Sequence, residues 1–259
     1  MRHLTSFRRP CPRPDRWGCV MDQPQPVILV TGCSSGIGEH CAHALQARGW
    51  QVFASARRED DVARLRDAGL EALVLDVDDD ASIKAAVAEL LAQTGGRLDA
   101  VFNNAGYGQP GAVEDLPRDA LRAQFETNLF GAHAVTREVL PVFRHQGHGR
   151  IIMHSSLLGF VAMPYRGAYN ASKFALEGLT DTLRQELRGS GIHVSLIQTG
   201  PVTSRFRANA EAMFRRWIDS ERSAHRETYQ AFARRLSGEG SPPFCRGPEA
   251  VFERLCHAL

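Results

Sequence analysis

The chain has 259 residues, 43% of them hydrophobic and 23% charged, with a formal net charge of +2. That composition fits one large globular domain or two small ones, and so slight a positive excess argues against a nucleic-acid partner. No apolar run is long enough to span a bilayer.

The six cysteines (Cys11, Cys19, Cys33, Cys41, Cys245, Cys256) lack zinc-ligand spacing. The histidine pairs His40/His43 and His145/His148 have no further ligand cluster nearby. No metal site is expected, and reduced thiols in a cytoplasmic protein fit better than a disulfide framework.

Residues 1–25 stand apart. Arg8, Arg9, Pro10, Pro12, Arg13 and Pro14 crowd a stretch without the apolar core of a secretory signal, so a disordered extension is expected, with Met21 a natural alternative start. Residues 26–259 read as one domain. A buried strand at 27–30 leads into a helix over 37–48. Further strands are expected at 51–55, 72–75 and 98–102, with an amphipathic stretch before the last of these carrying Ile83, Val87, Leu90 and Leu91. A long helix follows Pro117 and runs toward Pro141 or beyond. Then come a strand at 150–154, a helix through Tyr169 and Lys173, and a strand at 194–197. Fully apolar strands alternating with helices predict a doubly wound, Rossmann-type parallel sheet covered on both faces. Such sheets bind ligands beyond the carboxyl ends of their strands. Residues 203–246 break the rhythm, interleaving arginines with Phe206, Met213, Phe214, Trp217, Tyr229 and Phe232. A helical lid over a binding site is expected there.

Thr31-Gly32-Cys33-Ser34-Ser35-Gly36-Ile37-Gly38 joins the first strand to the first helix. Glycines let the backbone turn sharply and approach a pyrophosphate, whose charge then faces the helix N-terminus. Tyr169 and Lys173 lie one helical turn apart and share a face. Of the 31 basic residues only Lys84 and Lys173 are lysines. A free tyrosine titrates near pH 10 and is a poor base at neutrality, so a neighbouring ammonium is expected to lower its pKa.

From Val27 onward the chain resembles the short-chain dehydrogenases/reductases. The matching residues are Thr31-Gly-x-x-x-Gly-Ile-Gly38, Asp76, Asn103-Asn104-Ala105-Gly106, Asn128, Ser156 and Tyr169-x-x-x-Lys173. The wording of residues 32–36 and 172–178 is closest to the hydroxysteroid and retinol dehydrogenase branch and its bacterial relatives. The resemblance implies a nicotinamide cofactor on Gly32, Ser34, Ser35, Gly36, Ile37 and Gly38. It places Asp76 and Val77 at the adenine, Asn104, Ala105 and Gly106 at the ribose, Tyr169 and Lys173 at the nicotinamide half, and Val202 and Ser204 at the carboxamide.

The second strand ends Ala54-Ser55-Ala56-Arg57-Arg58, with no carboxylate before Glu59. A guanidinium at Arg57 can grip a 2′-phosphate bidentately, helped by Ser35. NADP(H) is therefore favoured, with NAD(H) the alternative.

For chemistry the resemblance implies Tyr169 as general acid/base and Ser156 as second hydrogen-bond donor. Lys173 would hold the ribose and bias Tyr169, and Asn128 would interrupt its helix and bind a water that relays protons. Ser155 is the rival to Ser156 and is expected to point into the fold. Expected substrate walls are Tyr107, Leu157, Phe160, Met163 and Tyr165, with Phe206, Met213, Phe214 and Trp217 from the lid. They suit an apolar ketone, aldehyde or alcohol of steroid, retinoid, lipid-like or aromatic kind. A non-catalytic nucleotide sensor would not need Ser156, Tyr169 and Lys173 together, and a sugar-nucleotide epimerase spaces its glycines differently. A homo-oligomer, dimer or tetramer, is expected.

Two departures from the family pattern stand out. Thr199-Gly200-Pro201 shifts the usual proline–glycine order, and no strand follows the helix after Gly247-Pro248-Glu249. Either a sheet one strand short or a longer natural chain is expected.

Overall fold

The structure, a computed structural model, describes residues 24–236 and 244–259. Most of the extension expected to be disordered, residues 1–23, lies outside them, as does part of the expected lid, residues 237–243.

Strand β1 (Val27–Val30) is buried throughout. Val27 and Leu29 join the core on one side of the sheet, Ile28 and Val30 the core on the other. This is the two-residue period of a strand covered on both faces. Helix α1 (Gly36–Gln46), β2 (Gln51–Ala56), α2 (Glu59–Asp67), β3 (Glu71–Val74), α3 (Asp80–Thr94) and β4 (Ala100–Asn103) follow. Helix α2 was not legible in the sequence, because it buries only Val62 and Leu65, too few positions to establish a 3.6-residue period.

The segment after Pro117 is α4 (Arg118–Phe125), a π-helical stretch (Glu126–Gly131) and α5 (Ala132–Gln146), which continues through Pro141. Strand β5 (Gly149–Ser156), α6 (Gly167–Glu186) and β6 (Ile192–Thr199) complete the sheet. Both strands extend beyond their expected bounds.

The six strands lie in the order β3-β2-β1-β4-β5-β6, and every pairing is parallel. From β1 the chain winds outward through β2 and β3, then crosses back to β4 beside β1. The crossover helices separate there, leaving the crevice in which doubly wound sheets bind ligands. Helices α1, α2 and α9 (Glu249–Ala258) cover one face; α3, α5 and α6 cover the other.

In the expected lid, α7 (Phe206–Trp217) and α8 (Arg226–Leu236) contribute to a satellite cluster of Ala112, Ile218 and Tyr229, with Leu116, Tyr165 and Phe214 packed on it. Among the described residues no helix is long and apolar enough to cross a membrane.

Candidate active site

The glycine loop lies where β1 ends beside β4. Gly32 has φ +72°, and a β-carbon there would stand 2.8 Å from Ala105 Cα. A β-carbon on Gly38 would meet the Gly32 carbonyl oxygen at 2.4 Å, and one on Gly36 (φ +66°) would meet Ser204 Cβ at 3.0 Å. The loop is therefore a tightly packed cradle of bare backbone that only glycine permits. Ser34 is exposed, and Ser35, the N-cap of α1, makes no capping bond with its side chain. Ile37 packs toward the core. The loop can accept a pyrophosphate at the α1 N-terminus.

Thr31 and Asn104 tie the cradle to β4. Thr31 Oγ1 accepts from the backbone N–H groups of Asn104 (2.9 Å) and Ala105 (3.0 Å). Asn104 Nδ2 donates to the Thr31 carbonyl at 2.8 Å. Its Oδ1 meets Nδ1 of His154 at 2.9 Å, and Nε2 of His154 meets Thr199 Oγ1 at 3.2 Å. The Asn104 amide oxygen can only accept, so Nδ1 carries the imidazole proton. Burial pushes the His154 pKa down to about 3, and Lys173 adds to the shift. The ring is a neutral cross-link between β4, β5 and β6. No sequence spacing marked His154, because both partners are remote in the chain.

Arg57 is exposed at the end of β2 and makes no hydrogen bond or ion pair within the described residues. Its charge acts on Asp78 and on Tyr107. Arg58 instead pairs with Asp60 at 3.0 Å. Past β3, Asp76 Oδ1 accepts from the Asp78 N–H at 3.1 Å, and a β-carbon on Gly131 would meet the Val77 carbonyl at 2.6 Å. At the far end of the crevice, Val202 bridges Arg246, and the Ser204 hydroxyl accepts from the Phe206 N–H at 3.3 Å. The shifted Thr199-Gly200-Pro201 turn is held by the same strap, with the Arg246 N–H donating to the Pro201 carbonyl at 3.0 Å.

Ser156 ends β5. Its Oγ accepts from the Leu158 N–H at 3.1 Å and donates to the Thr199 carbonyl at 3.3 Å, and it lies close enough to the Tyr169 phenol to lower its pKa. Ser155 is 1% exposed, turned into the fold as expected. Helix α6 brings Lys173 to the same end, where Nζ donates to the His154 carbonyl at 2.7 Å and stands 5.8 Å from the Tyr169 ring centroid.

The electrostatics depart from expectation. Burial pushes the Tyr169 phenol up to about 12, opposed by the nearby Ser156 hydroxyl and then by the Arg166 charge. Lys173 is engaged by a carbonyl while its ammonium stands over the Tyr169 ring, and Arg166 supplies a charge that lowers the Tyr169 pKa. Lys173 itself is brought down to about 8 by burial, with Glu177 acting in the opposite sense.

Asn128 lies in the π-helical stretch, 1% exposed. Its Nδ2 donates to the Tyr107 carbonyl (2.9 Å) and Ser172 Oγ (3.2 Å), and its Oδ1 accepts from the Tyr107 N–H at 3.0 Å. The side-chain amide thus clamps the loop after β4, and a β-carbon on Gly106 would stand 3.1 Å from its oxygen.

Leu157, Phe160, Met163 and Phe206 are exposed apolar side chains, and the Phe206 ring lies edge-on to Tyr169 with centroids 5.5 Å apart. Tyr165 and Phe214, also expected as walls, pack on Tyr229 in the satellite cluster. The cluster carries a polar latch invisible in the sequence. The Tyr229 hydroxyl accepts from the Ala112 N–H at 2.8 Å and donates to Asp115 at 2.5 Å.

A dinucleotide cradle beside a serine, tyrosine and lysine at the switch point of a parallel sheet defines a class of nucleotide-dependent oxidoreductase. The family model described as short chain dehydrogenase matches residues 26–214, and the chain belongs to that family. It is 41% identical to the uncharacterized oxidoreductase YbbO of Escherichia coli K12, across 91% of this chain and 81% of that one. It is 38% identical to human 17-beta-hydroxysteroid dehydrogenase type 1, across 70% of this chain and 58% of the relative. Among solved structures, a variant of actinorhodin polyketide ketoreductase with NADPH superimposes with a TM-score of 0.73 at 31% identity, covering 90% of each chain.

Proposed function

We propose that this chain is an NADP(H)-dependent oxidoreductase that interconverts a carbonyl and an alcohol on an apolar substrate. The carrying observation is the Tyr169 phenol, beside the Ser156 hydroxyl that lowers its pKa and faced by the Phe206 ring, one turn from an enclosed ammonium. A bound nicotinamide supplies or accepts the hydride. The residues fit such a cofactor. Gly32 to Gly38, Ser34 and Ser35 included, would hold the pyrophosphate, Asp76 and Val77 the adenine, Asn104 to Gly106 a ribose, and Val202 and Ser204 the carboxamide.

In reduction, negative charge builds on the substrate oxygen and needs donors and a proton. The Tyr169 hydroxyl gives the proton while Ser156 donates a hydrogen bond. Burial keeps Tyr169 protonated, which suits a general acid. The charges of Lys173 and Arg166 stabilise the phenolate left behind, and in oxidation that phenolate is the base. Asn128 holds the Tyr107 loop at the crevice, and the same turn would position a proton-relaying water.

Arg57 supports NADP(H) over NAD(H), being the one of the two arginines without an ion pair among the described residues. The exposed Leu157, Phe160, Met163 and Phe206 favour a steroid, retinoid, lipid-like or aromatic substrate under a lid at residues 203–246. A cytoplasmic homo-oligomer is part of this reading.

The test is NADPH oxidation with a panel of apolar ketones and aldehydes, and NADP reduction with the matching alcohols. Turnover in neither direction, with cofactor binding intact, would favour the nucleotide-sensor alternative. Turnover confined to NADH or NAD would favour the NAD-dependent one.

A further inference from the structure

Glu177 follows Lys173 by four residues on α6, so the two side chains share a helix face. Its Oε2 accepts from Gln198 Nε2 on β6 at 2.8 Å, which pins the carboxylate against the sheet. Its Oε1 is buried without a hydrogen-bond partner among the described residues, and so is Ser155 Oγ. Both oxygens flank Gly159: a β-carbon there would stand 2.9 Å from Ser155 Oγ and 3.0 Å from Glu177 Oε1.

Orphaned buried oxygens are uncommon and call for a physical reason. A carboxylate oxygen taken from water is costly unless a positive charge offsets it. The enclosed cation on this face is Lys173, held on the carbonyl of His154, the residue before Ser155. The other groups facing that ammonium carry no charge to balance it: Tyr169 is a protonated phenol, His154 a neutral imidazole, and Ser155, Ser156 and Asn128 are neutral.

We propose that Glu177 is a positioning residue for this site: its carboxylate, fixed by Gln198 and turned toward Ser155, keeps the enclosed Lys173 ammonium charged. Burial alone drives Lys173 toward the neutral amine, and Glu177 works against it. Its catalytic meaning rests on the proposed reaction, where a neutral Lys173 could not stabilise a Tyr169 phenolate. The charge balance itself is testable without turnover.

The chain has two lysines, and Lys84 is exposed, so a protein labelled with ¹³C at lysine Cε gives two signals, one an internal reference. Titration by NMR reads the Lys173 midpoint directly, with the assignment checked in Lys173→Arg. In Glu177→Gln the Lys173 midpoint is expected to fall by about one pH unit while Lys84 does not move. An unchanged Lys173 midpoint in a folded Glu177→Gln overturns the proposal, as does an equal shift of both lysines. If Glu177→Gln does not fold, Gln198→Leu, which releases the carboxylate toward solvent, must lower the midpoint in the same direction, and an unchanged value there overturns it equally. Absence of NADPH-linked turnover in the unaltered protein would refute the proposed reaction and leave this titration standing.

Discussion

The His154 imidazole meets the Asn104 amide oxygen at 2.9 Å, joining the strand that carries the lysine-binding carbonyl to the residue that braces the glycine loop. In His154→Leu, Asn104 Oδ1 loses this donor at a half-buried site, and a lost hydrogen bond costs about 0.5–1.5 kcal/mol. The variant is expected to melt lower and bind NADPH more weakly. The ring also has a pH signature. Its folded pKa is about 3 against 6.5 for the free group, so the unfolded chain binds the extra proton first. The contribution is intact above pH 6.5 and is lost as pH falls toward 3. Thermal melts across that window should fall less steeply in His154→Leu, and parallel curves would show that His154 does not titrate this way.

Tyr169→Phe is expected to leave NADPH binding nearly intact and remove most turnover, because only the transferable proton is lost. Equal loss of binding and rate would assign Tyr169 a structural role.

Rate should follow the charge of Lys173. In the reduction direction kcat/KM is expected to fall as pH rises through about 8, where Lys173 loses its proton, while Tyr169, at about 12, stays protonated. A profile flat to pH 10 would separate the reaction from the state of Lys173.

Cofactor choice hangs on Arg57. Arg57→Asp replaces a charge-assisted bond to a 2′-phosphate, worth about 1.5–3 kcal/mol, with a repulsive carboxylate that can accept from ribose hydroxyls. The kcat/KM ratio of NADPH to NADH is expected to drop at least about tenfold at fixed ionic strength. An unchanged ratio would shift the discrimination to Arg58 or Ser35.

Tyr229→Phe removes the hydroxyl that bridges Ala112 and Asp115. The α7–α8 region should dock less firmly, raising KM for a large apolar substrate more than it lowers kcat. Hydrogen exchange confined to residues 206–231 would rise with it. Unchanged exchange and KM would show that the latch does not hold the region.

Much of this protein is decided locally, and that much was legible in the sequence. Apolar strands alternating with helices predicted the parallel sheet, since a strand buried on both faces must be apolar at every position. Gly32, Gly36 and Gly38 marked the cradle because only glycine tolerates those backbone angles and approaches. Tyr169 and Lys173 were visible because a helix turn places residues four apart together. Folding decided what depends on partners distant in the chain. His154 became a cross-link only when Asn104, 50 residues earlier, and Thr199, 45 later, came to its two nitrogens. Tyr165 and Phe214 came to pack on Tyr229, whose hydroxyl reaches Asp115, 114 residues away. The lysine expected to lower the tyrosine pKa also donates to a carbonyl on β5, and Arg166, three residues before the tyrosine, adds a charge that lowers it. Burial and electrostatics are sums over everything packed around a group, and no spacing along a chain encodes them.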